Sequence, residues 1–327
     1  MSAHWPCPNQ GSRGALAVFT PLAALLQSQP SRVLCRPLRP WLAQVGTPTK
    51  HMQNLLKRSI LVTGSTDGIG LQTALELAQQ GHRVVIHGRN PQRCEQAVKR
   101  VKAAGYVAFD LGDRAAITTG ATELRERFAD LDTVVHNAGV FCKHRLHDHH
   151  GIEQSLSINH LGPALLTWHL LPVLRAVGSP QRPARLVFVA SVAHHRGRIN
   201  WADIGLREHF ADGYPAYAQS KLANVLFAAA LARRLDPAAV TVNSLHPGVV
   251  STKLLKGGFA MEGPDSLADG AATSVKLAAA ADVAGITGQY FVRGAPAEPS
   301  PQAQNKDEQD RLFAWTCTEL QLDSGSW

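Results

Sequence analysis

The sequence predicts an α/β protein, a doubly wound, mainly parallel sheet with helices on both faces. Three observations carry this. Short apolar runs alternate with stretches of helical length and period between residues 59 and 292, the pattern of right-handed β-α-β units. The first apolar run ends in Thr63-Gly64-Ser65-Thr66-Asp67-Gly68-Ile69-Gly70, a turn suited to joining a buried strand to a helix. No composition shift or long linker divides residues 55–320, so one domain accounts for the body.

The elements follow in order. Residues 59–63 are a buried strand by length and flanks. Residues 69–80 place Ile69, Leu71, Ala74, Leu75, Leu77 and Ala78 at helical spacing, with Gly81 as the stop. A strand at 84–86 leads to a helix at 91–102 with Pro91 in its first turn. A strand at 107–109 precedes a helix at 113–128, with Asp113 or a neighbour as its cap. The fourth strand is 133–136. A long helix is expected over 152–177, with Pro163 working against its continuity. Strands at 186–190, 240–245 and 288–292 alternate with helices at 217–235 and 266–280. A proline-containing tail then leads to a helix at 307–319.

The chain has 327 residues, 45% hydrophobic and 18% charged, with a formal net charge of +8. Much of that charge sits in residues 1–52, where Arg13, Arg32, Arg36, Arg39 and Lys50 meet no Asp or Glu. The body is near neutral, so charge points to neither nucleic acid nor a membrane surface. Residues 1–52 are expected to be a disordered leader, transit-like or upstream of a natural start at Met52, and 53–327 the folded domain. The apolar piece at 14–26 is broken by Pro21 and too short to span a bilayer. Cys7, Cys35, Cys94, Cys142 and Cys317 form no C-x-x-C pair. This suits reduced thiols in the cytoplasm, with organelle targeting by the leader as the other reading.

Two local patterns carry chemistry. Tyr217 and Lys221 lie four residues apart, on one face of a helix, where a cation would favour the phenolate. In the glycine turn, Gly64 permits a tight turn, Gly68 leaves room for a pyrophosphate and Gly70 allows close helix packing. A helix N-terminus there offers unpaired N–H groups and the positive end of a dipole to phosphate. Its ligand should lie beyond the carboxyl ends of the strands.

The glycine turn, Asn137-Ala138-Gly139, Asn159, Ser191, Tyr217 with Lys221, and Pro247-Gly248 occur in one order. In that order the chain resembles the short-chain dehydrogenase/reductase family over about residues 58–293. The resemblance implies a single Rossmann-type domain and a catalytic set of Asn159, Ser191, Tyr217 and Lys221. Tyr217 would exchange a proton with a carbonyl or alcohol oxygen, and Ser191 would hydrogen-bond that oxygen. Lys221 would bind the nicotinamide ribose. Asn159 would hold a helix distortion and a water leading from Lys221 to solvent. Cofactor contacts would come from Gly64, Ser65, Asp67, Gly68, Ile69 and Gly70 in the turn, and from Arg89 and Asn90 after the second strand. Asp110 and Leu111 would contact adenine, and Asn137, Ala138 and Gly139 would brace the ribose side. Tyr217, Lys221, Pro247, Gly248 and Val250 complete the set. His87-Gly88-Arg89-Asn90 carries no carboxylate, and Arg89 suits a 2′-phosphate. NADP(H) is therefore expected over NAD(H), with Asp67 as the counter-signal. No metal is required, because Tyr217 and Ser191 polarise the carbonyl.

The 26-residue interval from Ser191 to Tyr217, and its opening Ser191-Val-Ala-His-His195, resemble the retinol dehydrogenase-like and WW-domain oxidoreductase branch. That branch implies a lipophilic carbonyl or alcohol substrate, and the family implies a lid at about 250–270 and a homodimer or homotetramer, although the branch also includes monomers and membrane-bound forms. The other reading is a nucleotide-binding sensor or scaffold that keeps the fold with little catalysis. Cys142, His144, His147, Asp148, His149 and His150 are of types that bind zinc or copper, but directly follow Asn137-Ala-Gly and are read as a solvated loop. His194 and His195 are expected to line the cleft.

Overall fold

Eight strands lie side by side in the computed structural model, which describes residues 57–210, 212–259 and 262–327. The expected leader, residues 1–52, lies outside them. The strands are β1 (Ser59–Val62), β2 (Arg83–Gly88), β3 (Gly105–Ala108), β4 (Thr133–His136), β5 (Ala184–Val189), β6 (Val240–His246), β7 (Tyr290–Val292) and β8 (Ala295–Ala297). Their order is β3-β2-β1-β4-β5-β6-β7-β8. Each pair from β3 to β7 is parallel, and β8 is antiparallel to β7. β8 was not anticipated. It sits at the sheet edge, the position where a strand tolerates a proline such as Pro296.

The apolar runs explain the layers. A parallel strand is covered on both faces, so successive residues feed two cores. Leu61, Val85, Val134, Leu186 and Phe188 face one core. Ile60, Val62, Val84, Ile86, Val135 and Val187 face the other. The second core is closed by α1 (Gly68–Gln79), α2 (Pro91–Val101) and, later in the chain, α7 (Leu267–Ala279). The first is closed by α3 (Arg114–Arg127), α4 (Gln154–Val177), α5 (Gly213–Ala232) and, near the C-terminus, α9 (Lys306–Leu320). Two short helices, α6 (Lys253–Phe259) and α8 (Pro301–Gln304), lie in the connections.

Pro163 does not break α4. The helix passes through a π segment at Ser157–Leu161, where the Gly162 N–H donates to the Ser157 carbonyl, and Pro163 follows in the next turn. The wider bonding of a π turn absorbs an extra residue without ending the helix. α5 starts four residues before its predicted start. Asp212 caps it by accepting from the Tyr214 N–H, at 2.6 Å.

The chain winds from β1 outward to β3 and then returns to the other side of β1 as β4. The connections after β1 and β4 therefore diverge at the carboxyl ends of the strands. This switch point is where a doubly wound sheet opens its crevice, and the glycine turn leaves β1 there.

Candidate active site

The glycine turn is shaped by sterics. Gly64 has φ +65°, and a Cβ there would lie 2.9 Å from the Ala138 Cα. A Cβ at Gly70 would lie 2.3 Å from Asn137 Nδ2 and 2.4 Å from the Gly64 carbonyl oxygen. Asn137 holds this approach through Nδ2, which donates to the Thr63 carbonyl at 2.9 Å. Gly68 differs. It has φ +55°, and a Cβ there would meet only the Thr252 methyl, at 3.7 Å. Gly68 thus faces open space at the N-terminus of α1. That cradle fits a dinucleotide pyrophosphate.

A cleft of about 780 Å³ opens over this turn. Gly64, Asp67, Gly68, Ile69, Gly70, Arg89, Asn90, Asp110, Leu111, Asn137, Ala138 and Gly139 line it. Ser65 does not. Its hydroxyl donates to the Val62 carbonyl at 2.7 Å and accepts from the His87 N–H at 3.0 Å, which turns it into the sheet. Thr66 takes its place on the wall. Asp67 caps α1, and its Oδ2 accepts from Arg93 at 3.2 Å and from Lys253 of α6 at 2.5 Å. The bond from Lys253 holds the Asp67 carboxyl below the usual range. Two cations thus offset the acid that argued against a 2′-phosphate. Arg89 is 3.5 Å from Asp110 Oδ2 at the rim. Arg93 and Lys253 were missed because their contribution depends on contacts between α2, α6 and the turn.

A second cleft of about 530 Å³ adjoins the first, and Ile69, Asn137, Gly139, Thr252 and Leu254 line both. Ser191, Tyr217, Lys221, Pro247, Gly248 and Val250 line the second. Ser191 follows β5 and caps a 3-10 turn at Val192–Arg196. The Tyr217 hydroxyl is hydrogen-bonded to Ser191 and the ring is 5% exposed. Burial pushes its phenol up to about 12, against that hydrogen bond. Lys221, one helical turn on, points past the ring, with Nζ 5.7 Å from its centroid, and donates to the Val189 carbonyl at 3.0 Å. Burial lowers its ammonium to about 8. The expected lowering of the phenol is thus reversed in the protein alone, because desolvation outweighs the hydrogen bond with Ser191.

Asn159 lies in the π segment of α4. Its Oδ1 accepts from the Val140 N–H at 2.7 Å, and its Nδ2 donates to the Val140 carbonyl and to Ser220 Oγ, both at 2.9 Å. Ser220 in turn donates to the Tyr217 carbonyl at 2.7 Å. One side chain thereby ties the loop after β4 to the helix that carries Tyr217 and Lys221. A Cβ at Gly139 would lie 3.2 Å from Lys221 Nζ and 3.4 Å from Asn159 Oδ1, so a glycine keeps the space beside them open.

Gly248 has φ +93°, and Asp265 packs where its Cβ would be, at 2.7 Å. Asp265 Oδ2 also accepts from the Val249 N–H at 2.6 Å. The stretch predicted as a lid divides in two. α6 stands over the clefts through Leu254 and Leu255. From Ser266, which with Asp269 forms a capping box, the chain enters the core helix α7. In the histidine-rich loop, Asp148 accepts from the His150 and Ile152 N–H groups and from Ser157 Oγ. No group of three metal-ligating side chains is gathered among the described residues. His195 lines the second cleft, but His194 is buried beneath it.

A model described as short chain dehydrogenase matches residues 58–263, more than half of the chain. The chain belongs to the short-chain dehydrogenase family. Its relatives place it in the retinol dehydrogenase-like branch. It is 37% identical over 278 residues to polyprenol dehydrogenase of Mus musculus, covering 79% of this chain and 82% of that one. It is 33% identical over 293 residues to retinol dehydrogenase 13 of Homo sapiens, covering 82% and 86%. Among solved structures, an uncharacterized protein of Mycobacterium paratuberculosis superposes with a TM-score of 0.69 at 27% identity, covering 82% and 95%. A Pseudomonas aeruginosa RhlG/NADP active-site complex does so with a TM-score of 0.61 at 26% identity, covering 74% and 96%. As a short-chain dehydrogenase the chain is an oxidoreductase of CH–OH and C=O groups that binds NAD(P). No helix among the described residues is long and apolar enough to cross a membrane.

Proposed function

We propose that this short-chain dehydrogenase is an NADP(H)-dependent oxidoreductase of a lipophilic carbonyl/alcohol pair. The observation that carries the reading is the Tyr217 hydroxyl, hydrogen-bonded to Ser191 in a cleft that adjoins the glycine turn. A bound nicotinamide would supply or accept the hydride. In reduction Tyr217 gives its proton to the substrate oxygen as charge develops there, and Ser191 donates a hydrogen bond to the same oxygen. The ammonium of Lys221 favours the tyrosinate that remains. The phosphate-bearing cofactor is supported by Arg89 and by the absence of a carboxylate at the end of β2, with Arg93 and Lys253 offsetting Asp67. A lipophilic substrate is supported by Val192, Val249, Leu254 and Leu255 on the cleft wall. The relatives named for polyprenol and retinol, both lipophilic alcohols, agree with it.

In the cell we place the protein in the cytoplasm, where the free thiols of Cys94, Cys142 and Cys317 stay reduced. We take its assembly to be a homodimer or homotetramer. The test is NADPH oxidation by the purified protein with a panel of apolar aldehydes and ketones. Turnover should exceed that with NADH, and Tyr217→Phe should lower kcat by about 10²–10⁴-fold. Equal turnover by the parent and Tyr217→Phe would overturn the mechanism.

A further inference from the structure

Ser191 is held by a residue that does not reach the cleft. Its carbonyl accepts from the His194 N–H at 3.1 Å and from His194 Nδ1 at 2.7 Å. On the far side of the ring, His194 Nε2 accepts from the Ser300 N–H at 3.0 Å. A carbonyl can only accept and an amide N–H can only donate. The two neighbours therefore dictate a neutral ring with its hydrogen on Nδ1. His194 is 0% exposed, packed against His195 at 4.0 Å between ring centroids and edge-on to Tyr290 at 4.8 Å. Burial lowers its pKa to about 4, which keeps the ring neutral at ordinary pH. Ser300 is buried as well, and its hydroxyl caps α8 by accepting from the Ala303 N–H at 3.3 Å.

We propose that His194 is a positioning residue for Ser191, and that it makes the segment around Ser300 part of the catalytic scaffold. Ser191 is the second residue after β5 and caps a short 3-10 turn, where a free backbone could tilt. The bond from Nδ1 fixes its carbonyl and so the direction of Cβ and Oγ toward Tyr217. The bond to Nε2 fixes the ring from a point 106 residues further on. That point lies outside the stretch that matches the family, 58–263. The inference rests on reading Ser191 as the hydrogen-bond partner of the substrate oxygen.

Three variants separate the two bonds. His194→Phe keeps a ring of similar size and loses both. His194→Asn can place an amide N–H near the position of Nδ1. His194→Gln can place a carbonyl near Nε2 and serve only Ser300. With NADPH and nonanal, His194→Phe should lower kcat about tenfold and leave the KM for NADPH unchanged. His194→Asn should recover most of that loss, and His194→Gln should not. Full kcat in folded His194→Phe, or equal losses in the Asn and Gln variants, would overturn the proposal. If His194→Phe does not fold, the comparison of Asn with Gln decides alone. Nitrogen NMR of the histidine side chains gives a readout that needs no turnover. A neutral Nδ1–H tautomer at His194 supports the proposal even if nonanal is not reduced, and an Nε2–H tautomer overturns it. Absence of turnover in the parent with the whole panel would instead count against the proposed function.

Discussion

Lys221 donates a 3.0 Å hydrogen bond to the carbonyl of Val189, two residues before Ser191. The ammonium thereby joins the end of β5 to α5, and it is 3% exposed. Burial brings its pKa down to about 8. As pH rises through that value the side chain loses its charge, and with it the attraction for a cofactor ribose and the support of a tyrosinate. Fluorescence titration should show NADPH binding that is flat from pH 6.5 to 7.5 and weakens above about pH 8. Lys221→Met should bind more weakly and remove the alkaline fall. A parent profile that stays level to pH 9.5 would refute this role.

Arg89 stands at the end of β2 beside Asp110, with both side chains largely exposed. An exposed pair of this kind contributes little to stability, so its use should show in binding. Arg89→Ala should reduce the preference for NADPH over NADH by about 10–100-fold, the scale of a charged hydrogen bond, and leave Tm within about 2 °C. Competition between the two cofactors measures the ratio, and an unchanged ratio would move the specificity to Arg93 or Lys253.

Asn159 spends its whole amide on Val140 and Ser220. Asn159→Ala leaves the half-buried Val140 N–H and carbonyl and the buried Ser220 hydroxyl without these partners. An unsatisfied buried group costs about 1–3 kcal/mol, so urea unfolding should show a loss of about 2–4 kcal/mol. Activity should fall with it, because the tie to the turn of Tyr217 is cut. Asn159→Asp should fare little better, since a carboxylate cannot donate to both Val140 and Ser220.

Several buried imidazoles make the fold sensitive to acid. Burial lowers His136 and His160 to about 3, and desolvation lowers His87 to about 4. Their unfolded values are near 6.5. Between these limits the unfolded chain binds more protons than the folded one, so stability falls as pH drops from about 6.5 and is flat above it. Urea midpoints at pH 7.5, 6.5, 5.5 and 4.5 should show this. His160→Gln, which keeps a polar partner for Thr316 at the site of the 2.9 Å contact, should flatten the slope. An equally steep slope in that variant would remove His160 from the account.

How much was legible in the chain depended on range. The strand at 133–136 and the cap at Asp113 follow from local patterns, because apolar runs and capping geometry act over a few residues. The start of α5 was placed too late. Its signal is the Asp212 cap ahead of Pro215 in the first turn, a local cue passed over in favour of the Ala-rich stretch after Tyr217. β8 is three residues long and exists only by pairing with β7. Its own sequence, Ala-Pro-Ala, carries no strand period.

By itself the sequence determined that β-α-β units would form, that a glycine turn would follow β1, and that Tyr217 and Lys221 would share a helix face. These rest on period, sterics and spacing within one segment. The tertiary structure decided the rest. It turned Ser65 into the sheet, set Arg93 and Lys253 on Asp67, and raised the Tyr217 phenol where the sequence alone suggested lowering it. It also put His194 between Ser191 and Ser300. The physical reason is that desolvation and charge depend on which distant side chains close around a group, and no spacing along the chain encodes that.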